Sequence, residues 1–369
     1  MITRRRFLKK SLAATLPLSG IVGAGAWAAA ADIQRAAKPL DILVLGGTGF
    51  IGPNQIEYAL ARGHRVTMFN RGRTAADMYG DRVETLLGNR DDRIDTGLRS
   101  LQGMRRWDAV IDNSGYVPRH VRDSALLLKG RVGRYLYISS TAAYDQAYDG
   151  SVDEKVPLIK LTDFSDEQRT GASYGPFKAA SDQIVQDVYG GAATIIRPTF
   201  IVGPGDESDR FTYWVDRVAA GGDVLGPPFP DNEMRWVDVR DLCPWIISLL
   251  ERDIGGAFNA SAPATPTTWR AGLNVMATLA ASPVRFHWPQ ESVLRELKIN
   301  LPIAMFGGPE RRILSDAAQA AGLHYRPLLD TSRDILTWWQ RQTPERRASV
   351  ASWPSRTAEQ EAIARSQRA

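Results

Sequence analysis

A glycine-rich turn that follows a short apolar run constrains the fold of this chain more than any other stretch. Residues 41–52 read DILVLGGTGFIG, with four apolar residues followed by Gly46, Gly49 and Gly52. A continuous apolar run is typical of a strand that is buried on both faces of a parallel sheet. Glycines let the chain turn sharply into a helix and let backbone N–H groups approach a diphosphate closely. Because a helical pattern begins at Asn54, the stretch predicts a dinucleotide-binding turn rather than a βα turn without a ligand.

The segments after this turn alternate between strand and helix patterns. Further strands are predicted at residues 65–70, 83–87, 107–112 and 134–139, and helices at residues 55–62 and 121–129. This alternation is typical of a doubly wound parallel α/β sheet. Ligands of such sheets bind beyond the carboxyl ends of the strands, near the point where the strand order reverses. We therefore expect the residues that follow the first, second, fourth and fifth strands to meet in one crevice.

The turn after the second strand predicts which dinucleotide is bound. It reads Asn70-Arg71-Gly72-Arg73, without the carboxylate that would hydrogen-bond a free 2′-hydroxyl of the adenosine ribose. Guanidinium groups pair well with phosphate through their planar fork. The sequence therefore favours NADP over NAD, with solvated loop arginines as the alternative interpretation.

A serine-rich strand end and a Tyr-x-x-x-Lys sequence carry the residues suited to catalysis. Ser140 follows the fifth strand, and Tyr174 and Lys178 are four residues apart, so that they share one face of a helix. The ordinary pKa of tyrosine, about 10, is too high for a base at neutral pH. A neighbouring ammonium lowers it, and we expect Lys178 to do so while it also binds the nicotinamide ribose. Ser140 would hold the substrate oxygen against Tyr174.

Together these motifs resemble the extended short-chain dehydrogenases/reductases of the NAD-dependent epimerase/dehydratase family. The resemblance covers about residues 39–341; the glycine turn matches the family's cofactor loop, and residues 197–205 match the segment whose backbone approaches the nicotinamide. Counting back from Tyr144 places the catalytic serine at Ser140, with Thr141 as a neighbour that could substitute.

The resemblance implies a fold, a domain division and a set of site residues. It implies a Rossmann domain at residues 39–202 and a smaller mixed α/β substrate lobe at residues 203–342, partly interleaved with it. The implied catalytic residues are Ser140, Tyr174 and Lys178. The implied residues that bind NAD(P) are Gly46, Thr48, Gly49, Phe50, Ile51, Gly52, Asn70, Arg71, Arg73, Asn89, Arg90, Asn113, Tyr174, Lys178, Pro198 and Ile201.

Two departures from the family's pattern argue against a nucleotide-sugar substrate. The arginine that usually contacts the phosphates of such substrates falls on Met234, with Arg235 one residue out of place. A second basic residue, expected after a late serine, is replaced by Asp316. A carboxylate near a diphosphate is unfavourable.

The N-terminus resembles an export signal. Residues 3–9 read TRRRFLK, similar to the bacterial twin-arginine motif, and residues 11–31 are apolar, rich in Ala and Gly and free of acidic residues. A small-x-small pattern at residues 26–28, or the three alanines at residues 28–30, offers a cleavage site. The resemblance implies a signal peptide at residues 1–31, contact with the twin-arginine export machinery and a periplasmic or other extracytoplasmic location, rather than a stable membrane anchor.

Composition excludes several classes of function. The net charge is +5 and the pI about 9.3, but the arginines are scattered rather than gathered in a basic stripe with aromatics, so nucleic-acid binding is not expected. Cys243 is the only cysteine, which precludes an intramolecular disulfide, and we expect it to be a small buried hydrophobe. The four histidines have no metal-ligand spacing, and no metal site is expected.

The second half of the chain carries fewer signals. Residues 206–214 and 221–231 are predicted as loops and short strands of a lobe that closes over the crevice. Residues 343–369 are predicted as a mobile or loosely helical charged tail.

The sequence leaves three functions open. The first is an exported enzyme that retains NAD(P) and works as an epimerase or dehydratase of a sugar or sugar derivative. It is favoured because free nicotinamide cofactors should be scarce outside the cytoplasm, where a net oxidation would stall. The second is an NADP(H)-dependent reductase or dehydrogenase of a small carbonyl or hydroxyl substrate. The third is a non-catalytic dinucleotide-binding sensor or scaffold. A homodimer is compatible with each, and the substrate itself is not identified.

Overall fold

The computed structural model describes most of the chain beyond the N-terminal leader. The described residues are 33–74, 77–145, 147–148, 150–161, 163, 167–261, 267–304, 311–350 and 353–367. The predicted signal peptide lies outside them. Within these ranges, no helix is both long enough and apolar enough to cross a membrane.

Strands and helices alternate along the first half of the chain, and helices dominate the second. The strands are β1 Asp41–Leu45, β2 Arg65–Asn70, β3 Glu84–Leu87, β4 Trp107–Asp112, β5 Val132–Ile138, β6 Ala193–Pro198, β7 Ile201–Val202, β8 Gly222–Leu225, β9 Val237–Asp238, β10 Gly256–Ala260 and β11 Val284–His287. The helices are α1 Ile51–Ala61, α2 Pro118–Leu128, α3 Gly171–Tyr189, α4 Arg210–Ala219, α5 Val239–Glu251, α6 Trp269–Ala277, α7 Glu291–Glu296, α8 Asp316–Ala320, α9 Leu328–Gln340, α10 Pro344–Ala348 and α11 Arg356–Ser366.

Seven strands form one parallel sheet in the order β10-β6-β5-β4-β1-β2-β3. The order reverses between β1 and β4, which confirms the predicted doubly wound sheet. Leu45 at the end of β1 pairs with Phe69 of β2 and with Asp112 of β4. These three strands therefore end at one level, and the residues that follow them meet at one edge of the sheet.

The apolar run of β1 is buried on both faces. Ile42 and Val44 belong to the core that includes α1 and α5, whereas Leu43 and Leu45 belong to the core that includes α2 and α3. Alternate side chains of a strand point to opposite faces, so only a run without polar residues suits a strand with helices on both sides. This is why the strand reads as a continuous apolar run.

A smaller mixed α/β lobe is interleaved with the sheet along the chain, since several of its elements precede β10. It contains the two-stranded sheets β7–β9 and β8–β11 and the helices α4, α6, α9 and α11. Its core is aromatic: the rings of Trp214 and Trp269 lie 4.9 Å apart and both side chains are buried.

The predicted loop that ends at residue 214 is partly a helix. Helix α4 begins at Arg210 and buries Phe211, Trp214, Val215 and Val218. These positions follow the i, i+3, i+4, i+7 spacing of an amphipathic helix. The prediction of loops and short strands was wrong at this point because the glycines and prolines on either side of the helix outweighed its periodicity.

The predicted tail is packed against the lobe. Helix α11 brings Glu359, which is 1% exposed, against α4, where it accepts hydrogen bonds from Tyr213 Oη (2.7 Å) and Arg217 Nε (2.6 Å). Composition indicated a charged, mobile or loosely helical segment, but a buried carboxylate with two partners on α4 anchors it, and Arg356 on its own helix is a third partner. Cys243 is buried on α5, which agrees with its prediction as a buried hydrophobe.

Candidate active site

The glycine turn lies between β1 and α1 at the edge where the strands end. Gly46 has a φ of +88°, and a Cβ there would lie 2.8 Å from the Cβ of Ser114. A Cβ at Gly52 would lie 2.5 Å from the carbonyl of Gly47. Both positions therefore require glycine. At Gly49, by contrast, nothing lies within 4 Å of such a Cβ, so this residue borders open space.

The N-terminus of α1 suits an anion. Phe50 precedes the helix without a side-chain cap, and the first turn contains no acidic residue. Uncapped N–H groups at a helix N-terminus carry partial positive charge. Thr48 and Ile51 are half-buried on either side of the turn. The space at Gly49 and this helix end together fit the diphosphate of a dinucleotide.

The turn after β2 presents two exposed guanidinium groups. Asn70 Oδ1 accepts a hydrogen bond from the backbone N–H of Gly72 (2.8 Å), which fixes the turn. Arg71 and Arg73 are exposed beside it, and Arg73 is 3.8 Å from the carboxylate of Asp95. Asn70, Arg71 and Arg73 remain predicted cofactor contacts.

The side chain of Arg90 is bound to Asp112 at the end of β4 and to Ser124 of α2. It is 9% exposed and donates from Nη2 to Asp112 Oδ2 (2.8 Å) and Ser124 Oγ (2.9 Å). Its predicted contact with the cofactor stays a prediction, and the structure shows the guanidinium already paired with a carboxylate. Asp112 is fully buried, and an arginine is the partner that its charge requires.

Asn89 and Asn113 support the turns that carry them. Asn89 Oδ1 accepts from the N–H of Asp91 (3.1 Å). Asn113 Nδ2 donates to Gln55 Oε1 (2.6 Å) and to the carbonyl of Gly46 (3.3 Å), so it ties the end of β4 to the glycine turn. Asn113 therefore holds the shape of the predicted cofactor loop.

Ser140 and Tyr174 meet at the end of β5. Ser140 begins a short turn and accepts a hydrogen bond from the N–H of Ala142 (3.1 Å). Thr170 caps α3 through the N–H of Ser173, which sets the start of the helix one turn before Tyr174. Ser140 lies close enough to Tyr174 that hydrogen bonding between their side chains lowers the pKa of the tyrosine. The structure therefore brings together the two residues that the sequence places 34 positions apart.

Lys178 lies beneath them in a closed environment. Its Nζ donates to the carbonyls of Gly115 (2.9 Å) and Ile138 (2.7 Å) and lies 4.7 Å and 4.8 Å from the ring centroids of Tyr116 and Tyr137. Burial lowers the pKa of Lys178 to about 8, although the charges of Asp112 and Asp182 oppose the change. The lysine is thus close to half-protonated in the slightly alkaline range.

The pKa of Tyr174 differs from the sequence-based prediction. Burial raises it above its ordinary value, and the hydrogen bond to Ser140 opposes the rise. The positive charges of Arg210 and Arg169 also lower it. The expectation that Lys178 lowers the pKa of Tyr174 below its ordinary value is wrong for the chain by itself. Desolvation of the phenolate outweighs the nearby positive charge.

A buried polar network behind Lys178 escaped the sequence analysis. Asp182 lies one turn beyond Lys178 on α3 and accepts from Arg197 Nε (2.8 Å). Arg197 Nη1 donates to Tyr144 Oη (2.9 Å), which in turn donates to Asn259 Oδ1 (2.7 Å) at the end of β10. The spacing of 178 and 182 was a usable signal, since both residues had to share one helix face.

The segment after β6 borders the catalytic end of the sheet. Pro198 is buried, and its carbonyl lies 3.4 Å from Thr141 Oγ1. Ile201 is half-buried and packs against the core that contains α1. Both remain predicted cofactor contacts.

The two departures from the family pattern have structural counterparts. Met234 is fully buried, and Arg235 lies 3.6 Å from the carboxylate of Glu233. Asp316 is exposed in the first turn of α8. Met234 offers no charge for a diphosphate, and Asp316 adds a negative one.

One group of metal-ligand types lies close together within the described ranges. Atoms of Asp91, His120 and Glu167 are within 4.8 Å of one another. Arg119 Nη2 donates to Asp91 Oδ1 (2.9 Å) and Glu167 Oε2 (2.8 Å). The carboxylates are therefore part of an ion-pair network centred on Arg119, and the absence of a metal site remains a prediction.

Comparison with known proteins agrees with this geometry. The model of the NAD dependent epimerase/dehydratase family matches residues 42–96 and 105–261, more than half of the chain. Epimerase family protein SDR39U1 of Bos taurus is 23% identical over 295 residues, which span 77% of this chain and 95% of that protein. Bordetella bronchiseptica WbmG, solved with NAD and UDP, has a TM-score of 0.60 at 16% identity, covering 83% of this chain and 95% of that chain. Bacillus anthracis dTDP-glucose 4,6-dehydratase, solved with NAD, has a TM-score of 0.60 at 15% identity, covering 84% and 99%.

Proposed function

This chain belongs to the NAD-dependent epimerase/dehydratase family, and we propose that it is an extended short-chain dehydrogenase/reductase that moves hydrogen on a hydroxyl-bearing carbon of a sugar or sugar derivative. The observation that carries the proposal is the meeting of Ser140, Tyr174 and Lys178 beside the glycine turn. Ser140 follows β5, and Lys178 on α3 donates to the carbonyl of Ile138 at the end of the same strand, which is next to β4 on one side of the point where the sheet order reverses.

The chain's own residues would perform the proton chemistry. Tyr174 would accept the hydroxyl proton of the substrate in its phenolate form, while the carbon–hydrogen bond breaks and the carbonyl forms. Because burial raises the pKa of Tyr174 in the chain by itself, the positive charges near its hydroxyl would have to favour that form. Ser140, which lies beside Tyr174, would orient the substrate oxygen. Lys178 holds its ammonium beneath both and would bind the nicotinamide ribose with an N–H that the two carbonyls do not use. A bound nicotinamide dinucleotide would supply the acceptor for the hydride.

The reaction is proposed to be redox-neutral, as in an epimerase or a dehydratase. This part rests on the twin-arginine sequence at residues 3–9, which implies export of a folded protein with its cofactor already bound. Hydride taken from the substrate would then return to it within the same turnover. Detection of the protein in the periplasm with the leader removed would test the export step. Retention of the leader with a cytoplasmic location would count against it.

NADP is proposed as the preferred cofactor. The turn after β2 has Asn70 in place of a carboxylate, and the exposed Arg71 and Arg73 lie beside it. A guanidinium pairs with a 2′-phosphate, whereas a carboxylate would repel it. The same turn supports the second candidate function, an NADP(H)-dependent reductase or dehydrogenase of a small carbonyl or hydroxyl substrate.

Tyr174→Phe tests catalysis against a role as a non-catalytic sensor. We expect the variant to keep its cofactor while hydride transfer falls by a factor of about 10² to 10⁴, the usual contribution of a positioned acid or base. The matched control is Tyr148→Phe, since Tyr148 is an exposed tyrosine outside the site. The measurements are mass spectrometry of the cofactor that co-purifies and absorbance of the reduced nicotinamide after addition of neutral and acidic sugars. Equal hydride transfer in both variants would contradict the assignment of Tyr174.

A further inference from the structure

Two arginines beside Tyr174 differ from the other arginines around the crevice. Arg90, Arg119 and Arg197 each form an ion pair with a carboxylate, at distances of 2.5 to 2.9 Å. Arg169 and Arg210 have no carboxylate within 4.0 Å among the residues that the structure describes. Their charge is therefore not balanced by a direct ion pair within that part of the chain.

Arg169 lies over the catalytic lysine's aromatic neighbour. It precedes α3 by two residues, and its Cζ lies 4.7 Å from the ring centroid of Tyr116. The ammonium of Lys178 lies 4.7 Å from the same centroid. Two cations against one ring repel each other, and the charge of Arg169 indeed lowers the pKa of Lys178. An anion between Arg169 and the site would offset this repulsion.

Arg210 approaches from the smaller lobe. It is the first residue of α4, and its Cζ lies 5.2 Å from the ring centroid of Phe200. Its Nε donates to Ser208 Oγ (3.0 Å), and Ser208 donates to Asp206 Oδ2 (2.8 Å). Asp206 therefore reaches Arg210 through Ser208 and not by a direct ion pair. Among the described residues, no carboxylate pairs with the terminal amino groups of the Arg210 guanidinium.

The helix that begins at Arg210 adds positive potential at the same place. Its N-cap residue, Asp209, has a φ of +52° and provides no side-chain cap. The carboxylate of Asp209 instead accepts from Arg346 Nη2 (2.6 Å). A cation at the positive end of a helix is unfavourable unless an anion is bound there.

We propose that Arg169 and Arg210 together bind an anionic group of the substrate, a carboxylate or a phosphate, next to the carbon on which Tyr174 acts. The inference rests on the proposed function, since Tyr174 defines where the reacting carbon lies. Both arginines act electrostatically on the Tyr174 hydroxyl, from the loop before α3 and from the start of α4. A planar guanidinium fork matches the oxygens of either anion.

The smaller lobe lacks positive charge at the two positions where the family pattern predicts contacts to a nucleotide diphosphate. The position expected to contact a nucleotide diphosphate is the buried Met234, and the expected second base is Asp316. Positive charge is therefore absent from these two positions and present at the reacting end. A sugar acid or a sugar phosphate fits this distribution better than a neutral sugar on a nucleotide.

Calorimetry on the cofactor-loaded, full-length protein tests the proposal with three probes. D-glucuronate carries a carboxylate, D-glucose 6-phosphate carries a phosphate, and D-glucose carries neither. We expect at least one of the two anions to bind about tenfold more tightly than glucose, a difference of roughly 1.4 kcal/mol. Arg169→Gln and Arg210→Gln should each remove most of this preference, and Arg169→Lys and Arg210→Lys should restore part of it.

The matched control is Arg333→Gln, because Arg333 is an exposed arginine paired with Asp330 on α9. We expect it to bind all three probes as the parent protein does. Neither anion binding better than glucose, or an anion preference that survives both glutamine variants, would overturn the proposal. Melting temperatures of the variants identify any loss of folding. If a glutamine variant does not fold, the anion preference of the matching lysine variant, which keeps the positive charge, still tests the proposal.

Tyr174→Phe separates a failure of this proposal from a failure of the proposed function. If the anion site is right and the catalytic assignment is wrong, anion binding depends on the arginines while hydride transfer survives in Tyr174→Phe. In the opposite case, Tyr174→Phe loses hydride transfer while the glutamine variants bind the anions normally.

Discussion

The two lobes of this protein bury their charges in different places. In the Rossmann lobe, the buried pairs Arg90–Asp112 and Arg197–Asp182 lie directly beneath the strand ends that carry the candidate site. In the smaller lobe, the centre is aromatic, and the buried Glu359 joins the last helix to its edge. The buried ion pairs of the Rossmann lobe therefore lie under the candidate site, whereas the buried carboxylate of the smaller lobe lies where its last helix packs.

The way each lobe is assembled explains why the fold of the Rossmann lobe could be predicted from the sequence and that of the smaller lobe could not. Parallel strands that end at one level place the following residues together, whatever the distance between them along the chain. The smaller lobe is assembled from helices whose contacts, such as that of α4 with α11, follow no short motif. If the lobes differ in this way, substitutions at their buried charges should reduce stability more than substitutions at exposed ones.

Asp112→Asn should have the largest effect. It leaves the guanidinium of Arg90 buried without its charge partner, and breaking such a pair costs about 3–5 kcal/mol of unfolding free energy. Urea unfolding measures the loss. The control is Arg73→Gln at an exposed pair with a separation of 3.8 Å, where we expect a change of less than about 1 kcal/mol. Equal effects of both variants would show that the Rossmann lobe does not depend on its buried charges.

Glu359→Gln tests whether the last helix is part of the smaller lobe. The variant keeps the shape of the side chain but loses charge-assisted hydrogen bonds to Arg217, so we expect a loss of about 2–3 kcal/mol in the same assay. Glu361→Gln on the same helix is the control, because Glu361 is half exposed and pairs with the exposed Arg365. A loss no larger than that of the control would return residues 355–367 to the predicted mobile tail.

Gly49→Ala should separate ligand binding from folding. The added Cβ meets no protein atom within 4 Å, so the melting temperature should not change. The methyl group would occupy the space proposed for the diphosphate, and we expect NADP⁺ and NAD⁺ to bind at least about tenfold more weakly, or roughly 1.4 kcal/mol. Gly52→Ala is the contrasting variant, since its Cβ would clash with the Gly47 backbone and lower the melting temperature. Unchanged cofactor affinity in Gly49→Ala would place the diphosphate elsewhere.

The smallest effect is a pH dependence of cofactor affinity. The pKa of Lys178 is lowered to about 8, so its ammonium is charged below that pH and neutral above it. A hydrogen bond from a charged donor is stronger by about 1 kcal/mol than one from a neutral donor. Cofactor affinity should therefore fall about fivefold as the pH rises through 8, and Lys178→Met should remove this step. A step of the same size in the Lys178→Met variant would assign the titration to another group.

Much of the fold and part of the site could be predicted because their signals are local. The apolar run before Gly46 predicted β1, and the four-residue spacing of Tyr174 and Lys178 predicted one helix face. Arg90 could not be assigned in this way. A side chain after a strand can point into the crevice or back toward a neighbouring strand. The direction of the Arg90 side chain is decided by its partner Asp112, 22 residues further along the chain.

Periodicity and close spacing act over a few residues, so the parallel sheet, the glycine turn and the positions of the candidate catalytic residues could be predicted from the sequence. Only the tertiary structure decided how those residues ionise and what surrounds them. The pKa of Tyr174 is raised rather than lowered, since burial is a property of the packed chain. Arg169 and Arg210, 41 positions apart, both lower the pKa of Tyr174, because the folded chain brings the loop before α3 and the start of α4 near its hydroxyl.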